Sequence, residues 1–303
     1  MRKEFAAWME NHGVAHAEVV FITGDLGFMA LENVQRALGK RFVNAGVSEQ
    51  NMISLAAGMA EQGLKPFCYS IAPFIVFRPV EQIRLDVGLH NLNVKMIGNG
   101  GGYGYGIMGA THHAIEDFAV LSALPNVRCF VPYSNEDVAG VCNAMQAFAG
   151  PAYLRLGFGQ TPAGVDTAQT YAPVRRLLAG EQCTVVGIGS VIINAVSAVQ
   201  ALGAKAADVF VVSELPVVAW GAEVKASIQR TGKLMVLEEH VARGGLGEHL
   251  AAWMLHNGLS ARWVHRHAAG YPNGRYGSQA YHQIQSGLDA VALQMSLREL
   301  IHG

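Results

Sequence analysis

The sequence predicts an α/β protein of two domains, each a mostly parallel, doubly wound sheet flanked by helices. Three observations carry that reading. The chain has 303 residues, more than one core usually serves. From residue 18 onward, short apolar runs alternate with segments of near-helical period, the pattern of parallel strands joined by crossover helices. At residues 157–171 (GFGQTPAGVDTAQTY) the composition turns polar and rich in Gly and Thr, which interrupts the alternation. The expected division is a first domain at 1–165, a linker at 166–178 and a second domain at 179–303.

The hydrophobic fraction is 51% against 15% charged residues, enough for large cores and a broad subunit interface. A formal net charge of −1 with 12 neutral His argues against a nucleic acid or an anionic membrane as partner. Cys68, Cys129, Cys142 and Cys183 sit apart in apolar runs with no C-x-x-C pair, as expected of reduced, buried thiols in a cytoplasmic protein. The opening MRKEFAAWMENHG reads as a short amphipathic helix and not as a secretory signal. No apolar run reaches membrane-spanning length without a polar break.

The elements follow in order. Residues 18–23 (EVVFIT) are an apolar strand ending in the turn Gly24-Asp25-Leu26-Gly27, with a helix at 29–38 and a strand at 41–45. After the corner Gly46-Val47-Ser48, Met52, Ile53, Leu55, Ala56 and Met59 recur at helical spacing up to Gly63. Ser48 is placed to cap that helix, and Glu49 stands in its first turn, where the dipole favours a carboxylate. By position alone Glu49 is a routine first-turn acid. A strand at 66–71 leads to Pro73, which opens a helix through residue 88. Phe74, Phe77 and Val80 form a stripe on it of the kind cores use. Strands at 94–97, 127–131 and 151–156 enclose helices at 114–123 and 134–149, the latter with a capping-box-like start (SNED). Beyond the linker, strands at 184–188, 208–212, 233–237 and 262–265 alternate with helices ending near 202, 229 and 256, and a terminal helix runs from about 279.

Candidate chemistry is sparse. The run GNGGGYGYGIMG at 98–109 has neither the Gly-Lys-Ser/Thr end of a nucleotide loop nor the helix start of a dinucleotide fingerprint. A mobile surface or active-site loop is the better reading. Thr111-His112-His113 with Glu116-Asp117 lacks a third metal ligand. A His leaving a glycine loop suits proton transfer or hydroxyl binding. His265 and His267 read as surface or interface residues, and Asp25 can be an Asx-turn residue. Glu49, Phe74 and His112 each follow a predicted strand, and ligands of open α/β sheets lie outside the strands' carboxyl ends. Their convergence on one edge is the first argument for a site.

In order, GDLG (24–27), FVNAGVSEQNMISLAAGMA (42–60), YSIAPFIVFRPVEQIR (69–84), GATHHAIEDFAVLSALPNVRCFVPYSNEDV (109–138) and PAYLRL (151–156) resemble the pyrimidine-binding domain of transketolase-like thiamine diphosphate enzymes. LMVLEEHVARGGLGEHLAAWML (234–255) resembles their C-terminal domain. A Gly-Asp-Gly…Asn motif for magnesium and diphosphate is not found, so the resemblance is to the C-terminal half of a split transketolase. It implies a transferase subunit that moves a two-carbon ketol unit from a ketose-type donor to an aldehyde. It also implies thiamine diphosphate as cofactor, Mg2+ held on an N-terminal-type, diphosphate-binding partner subunit, and an α2β2 heterotetramer.

By the same resemblance, Glu49 bonds N1′ of the cofactor's pyrimidine from an apolar pocket, where desolvation favours its protonated form. Phe77 stacks on that ring, Phe74 lines the pocket, and Asp25 and Leu26 border the cofactor. His112 lies near the reacting carbons as catalytic and substrate-binding residue, and Arg155 binds the acceptor's terminal anion. Three positions depart from the pattern: Val80 replaces a common tyrosine, Met108 an aspartate and Gly100 a histidine. A modified sugar, a shorter ketose or another ketol or acyl donor therefore fits as well as an ordinary sugar phosphate. The alternatives are a 1-deoxyxylulose-type synthase, a 2-oxoacid decarboxylase or dehydrogenase β-type subunit, and a non-catalytic partner subunit.

Overall fold

All five residues of β1 (Val19–Thr23) are buried, and their alternation shows why the strand is central. Val20 and Ile22 join Met52, Ile53 and Ala56 on one face. Val19 and Phe21 join Phe5, Met9 and Leu38 on the other. Successive side chains of a strand point to opposite faces, so an unbroken apolar run must be covered on both. The helix Arg2–Ala15 covers one face and Glu49–Glu61 the other. In this computed structural model the described residues are 1–166, 169–203 and 205–303. Thr167 and Ala168, within the expected linker, lie outside them.

The first sheet adds β2 (Phe42–Asn44), β3 (Lys65–Ile71), β4 (Lys95–Asn99), β5 (Arg128–Phe130) and β6 (Ala152–Leu156). The second contains β7 (Val174–Leu178), β8 (Cys183–Ile188), β9 (Ala207–Val212), β11 (Lys233–Glu238) and β12 (Arg262–Arg266), with β10 (Glu214–Leu215) between β9 and β11 in the chain. The first sheet runs β10-β5-β6-β4-β3-β1-β2 and the second β12-β11-β8-β9-β7. Pairing is parallel except for β10 on β5 and β7 on β9. Thr23 stands beside Asn44 and Tyr69, and Ile71 beside Asn99. The carboxyl ends of β1 to β4 therefore form one edge.

Several boundaries differ from the sequence reading. The end of the expected linker, Val174–Leu178, is edge strand β7 of the second sheet. The helix opened at Pro73 is broken into Ala72–Phe77, Val80–Gln82 and a π-helical turn Ile83–Gly88, because Pro79 has no N–H to continue the ladder. The helix read from residue 134 is Val138–Ala147. Ser134 bonds Thr161 Oγ1 at 2.7 Å instead of capping it. One apolar cluster continues from Met52 and Ile53 through Val131 to Val212 and Leu215 of the second domain, and β10 pairs with the first sheet, so the two domains share a core. Among the described residues, no helix is long and apolar enough to cross a membrane.

Candidate active site

Glu49 is the first residue of its helix and only 3% exposed. Ser48 does not cap the helix as expected; its Oγ donates to Ala45 O at 2.7 Å and so tightens the corner. Glu49 Oε1 accepts from Ser70 Oγ at 3.3 Å, and Oε2 from Arg78 Nη1 at 2.8 Å. Met52 and Ile53, one turn on, are fully buried beneath it. The carboxylate thus sits on an apolar floor with one face toward a hollow of about 480 Å³, walled also by Val47, Gln50 and Arg78.

From Glu49 a row of side chains follows the carboxyl edge of the sheet. The Arg78 guanidinium lies 3.8 Å above the centre of the Phe74 ring, a favourable cation–π position. Phe74 meets His112 edge-on at 5.2 Å, and His112 meets Tyr105 at 5.8 Å. Thr111 Oγ1 and His112 Nδ1 share a hydrogen bond of 2.9 Å, and Asn99 Nδ2 donates to Tyr105 Oη at 2.9 Å. Phe77 is partly buried against the core cluster around Met52. Beyond Tyr105 opens a hollow of about 370 Å³ lined by Arg2, Lys3, Asn99, Asn135 and Phe158.

The glycine loop is packed against residues of the second domain. A Cβ on Gly102 would collide with Glu239 Oε1, and one on Gly109 would meet the Tyr276 ring at 2.7 Å. Glycines there let the backbone approach closely. Tyr103 N donates to Glu239 Oε1 at 2.7 Å, which ties the loop to the end of β11. His113 is buried, with Nε2 at 2.8 Å from Gly106 O and Nδ1 at 2.9 Å from Tyr271 Oη. Burial pushes its pKa down to about 4, so it is a neutral structural bridge. It is not on a helix face with Glu116, since the helix starts only at Asp117.

Not every expected residue joins this row. Asp25 is paired with Asn44: its N–H donates to Asn44 Oδ1 at 3.0 Å, and its Oδ1 accepts from Asn44 Nδ2 at 3.2 Å. With Leu26 it lines a separate hollow of about 260 Å³. Arg155 is engaged mainly by the protein itself. It is 5% exposed, its Nε stands 3.1 Å from Asp117 Oδ2, and Nη2 donates to Ala114 O and Glu239 O. A guanidinium held in this way braces the two domains, and it also lines a small cavity with Gly101, Gly157 and Ser190. His265 likewise is committed, with Nε2 at 2.8 Å from the fully buried Glu238. Sequence reasoning passed over Arg78, Asn99, Tyr105, Arg2 and Lys3. For Asn99 a signal was available, since it is the last residue of a strand, whereas Arg78 stands at the end of the following helix.

Comparison with known proteins identifies the domains. The pyrimidine binding domain of transketolase matches residues 1–162, and the transketolase C-terminal domain matches residues 172–286. One of the subunits of an apulose-4-phosphate transketolase from Phocaeicola vulgatus is 28% identical over 272 residues, 87% of this chain and 86% of that one. A 1-deoxy-D-xylulose-5-phosphate synthase of Geobacter sulfurreducens is 31% identical over 86% of this chain but only 42% of its own length. A solved split-gene transketolase, described as an inactive β4 tetramer, superposes with a TM-score of 0.84 at 26% identity, covering 99% of this chain and 97% of that one. The chain belongs to the transketolase family, as a transketolase-type subunit that joins the pyrimidine binding and C-terminal domains.

Proposed function

We propose that this chain is the pyrimidine-side half of a thiamine diphosphate-dependent transketolase. With a separate diphosphate-binding chain, as two copies of each, it would move a two-carbon ketol unit from a ketose-type donor to an aldehyde. The observation that carries the reading is Glu49, a buried carboxylate on an apolar floor, opening on a hollow at the carboxyl edge of a parallel sheet. The family implies the cofactor, and the residues present suit its pyrimidine: a carboxyl group to bond N1′, with Phe74 and Phe77 on the next helix to border the ring.

When bound, thiamine diphosphate supplies the nucleophilic carbon that breaks the bond beside the donor's carbonyl. Glu49 would bond N1′ of the pyrimidine in place of its contact with Arg78. Phe74 and Phe77 would exclude water, while Asp25 and Leu26 line a separate hollow of the same sheet edge. His112, steadied by Thr111 and by the edge of Phe74, is placed to hold or move a proton at a substrate hydroxyl. Arg2 and Lys3 outnumber Glu4 on the lining of the hollow beyond Tyr105 and give it a positive wall suited to an anionic substrate end. The relative named for apulose 4-phosphate supports a phosphorylated, ketose-type substrate. Phe28, Met29, Val47 and Ile107 are exposed on loops of the same edge, apolar surface that suits a subunit seated over the site. That partner would bring the Mg2+ ligands.

The test is reconstitution of the two chains with thiamine diphosphate and Mg2+, assayed with ketoses and with pyruvate. Ketol transfer that falls roughly 10²–10⁴-fold in Glu49→Gln, with the complex still assembled, is expected. Unchanged turnover in Glu49→Gln, or turnover by this chain without a partner, refutes the reading. Carbon dioxide release from pyruvate would instead favour the synthase reading, to which the relative from Geobacter sulfurreducens lends support.

A further inference from the structure

The glycine at position 100 and the tyrosine five residues on are two parts of one device. Gly100 has a φ of +74°, a conformation that side chains rarely adopt. A Cβ built on it would run into the Tyr105 ring. The ring therefore fills the volume that a side chain at residue 100 would take, directly beyond the end of β4. Asn99 Nδ2 donates to the phenol oxygen, and no protein group accepts the phenol's own hydrogen among the described residues. Asn99 thereby fixes the oxygen and leaves the O–H as a free donor. Burial raises the phenol's pKa and Arg2 acts against that rise, so the group is a neutral donor at physiological pH. On one side the ring leans on His112. On the other it lines the hollow with Arg2 and Lys3. Tyr105 thus stands between the residue nearest the chemistry and the cationic end of the cleft.

We propose that Tyr105 is a specificity-determining residue: its ring sets the length of the substrate cleft in place of a residue-100 side chain, and its O–H, positioned by Asn99, hydrogen-bonds the anionic end or a neighbouring hydroxyl of the ketose or aldehyde. The assignment rests on the ketol-transfer reading of the site. It selects short, anionic substrates, because the ring fills the volume beside residue 100 that a longer chain would need, and an anionic end against the phenol O–H faces the wall of Arg2 and Lys3.

The experiment uses the reconstituted two-chain complex and a panel of four- to seven-carbon ketoses with and without a terminal phosphate. Its second readout is calorimetric binding of an unreactive alditol phosphate. Tyr105→Phe keeps the ring and removes the donor. It is expected to raise KM for phosphorylated members and weaken alditol phosphate binding, each roughly tenfold, the scale of one hydrogen bond to a charged group. Its kcat is expected to stay within about twofold. Tyr105→Val is expected to move the kcat/KM preference toward the longer members. Unchanged alditol phosphate binding in Tyr105→Phe, with an unchanged length preference in Tyr105→Val, overturns the assignment while leaving ketol transfer in place. A wild-type complex that transfers no ketol from any member overturns the functional reading and the assignment together.

Discussion

Glu49 Oε2 accepts a hydrogen bond from Arg78 Nη1 at 2.8 Å, so a buried carboxylate shares an ion pair with a cation that is itself 44% exposed. Arg78, its backbone still helical, stands one turn beyond Phe74, which lays its guanidinium over the Phe74 ring. Arg78 therefore competes with any ring nitrogen for the Glu49 carboxyl group.

Removing that competition should help a cofactor. In the two-chain complex, Arg78→Ala is expected to tighten thiamine diphosphate binding about two- to fivefold, since solvent-screened pairs contribute roughly 0.2–1 kcal/mol. Titration followed by protein fluorescence measures it. Weaker binding would show that Arg78 touches the cofactor itself.

Arg155 should behave as a brace. Asp117 beside it is fully buried, and taking one partner from a buried pair strands the other, at about 3–5 kcal/mol. Arg155→Ala is expected to lower the urea midpoint of the chain alone by a corresponding margin. A variant as stable as the wild type would return Arg155 to the substrate.

Gly102 has a φ of +63° and no room for a Cβ beside the Glu239 carboxyl group. Gly102→Ala is expected to destabilise by about 1–3 kcal/mol through backbone strain and to loosen the hydrogen bond from Tyr103 N to Glu239. Hydrogen exchange at the Tyr103 amide, faster than in the wild type, is the measurement.

The buried His113 predicts a pH dependence. Its pKa is pushed down to about 4 by burial, against about 6.5 for a free imidazole. Between those values the unfolded chain binds more protons than the folded one, so stability is full above pH 6.5 and falls as the pH drops toward 4. His113→Gln should lose less stability than the wild type between pH 7 and pH 5. Urea midpoints across that range test it, and equal losses would count against the assignment.

The α/β class, the strand order along the chain and the helix carrying Glu49 were legible because periodicity reports which faces are buried, and periodicity is local. The runs EVVFIT and MISLAAGMA needed no distant residue to be understood. β7 was hidden in the expected linker because two adjacent arginines, Arg175 and Arg176, break its alternation, as an edge strand permits. β10 is only two residues long.

The sequence by itself determined the layers of this protein and the position of Glu49 at a sheet edge. Tertiary structure alone decided what each charged group touches. Arg78 reaches Glu49 across 29 residues and Arg155 reaches Glu239 across 84. The glycines at 100, 102 and 109 make room for Tyr105, Glu239 and Tyr276. The physical reason is that burial of an apolar face follows from local spacing, whereas the partner of a charge or the neighbour of a glycine depends on which strands and loops the fold brings side by side.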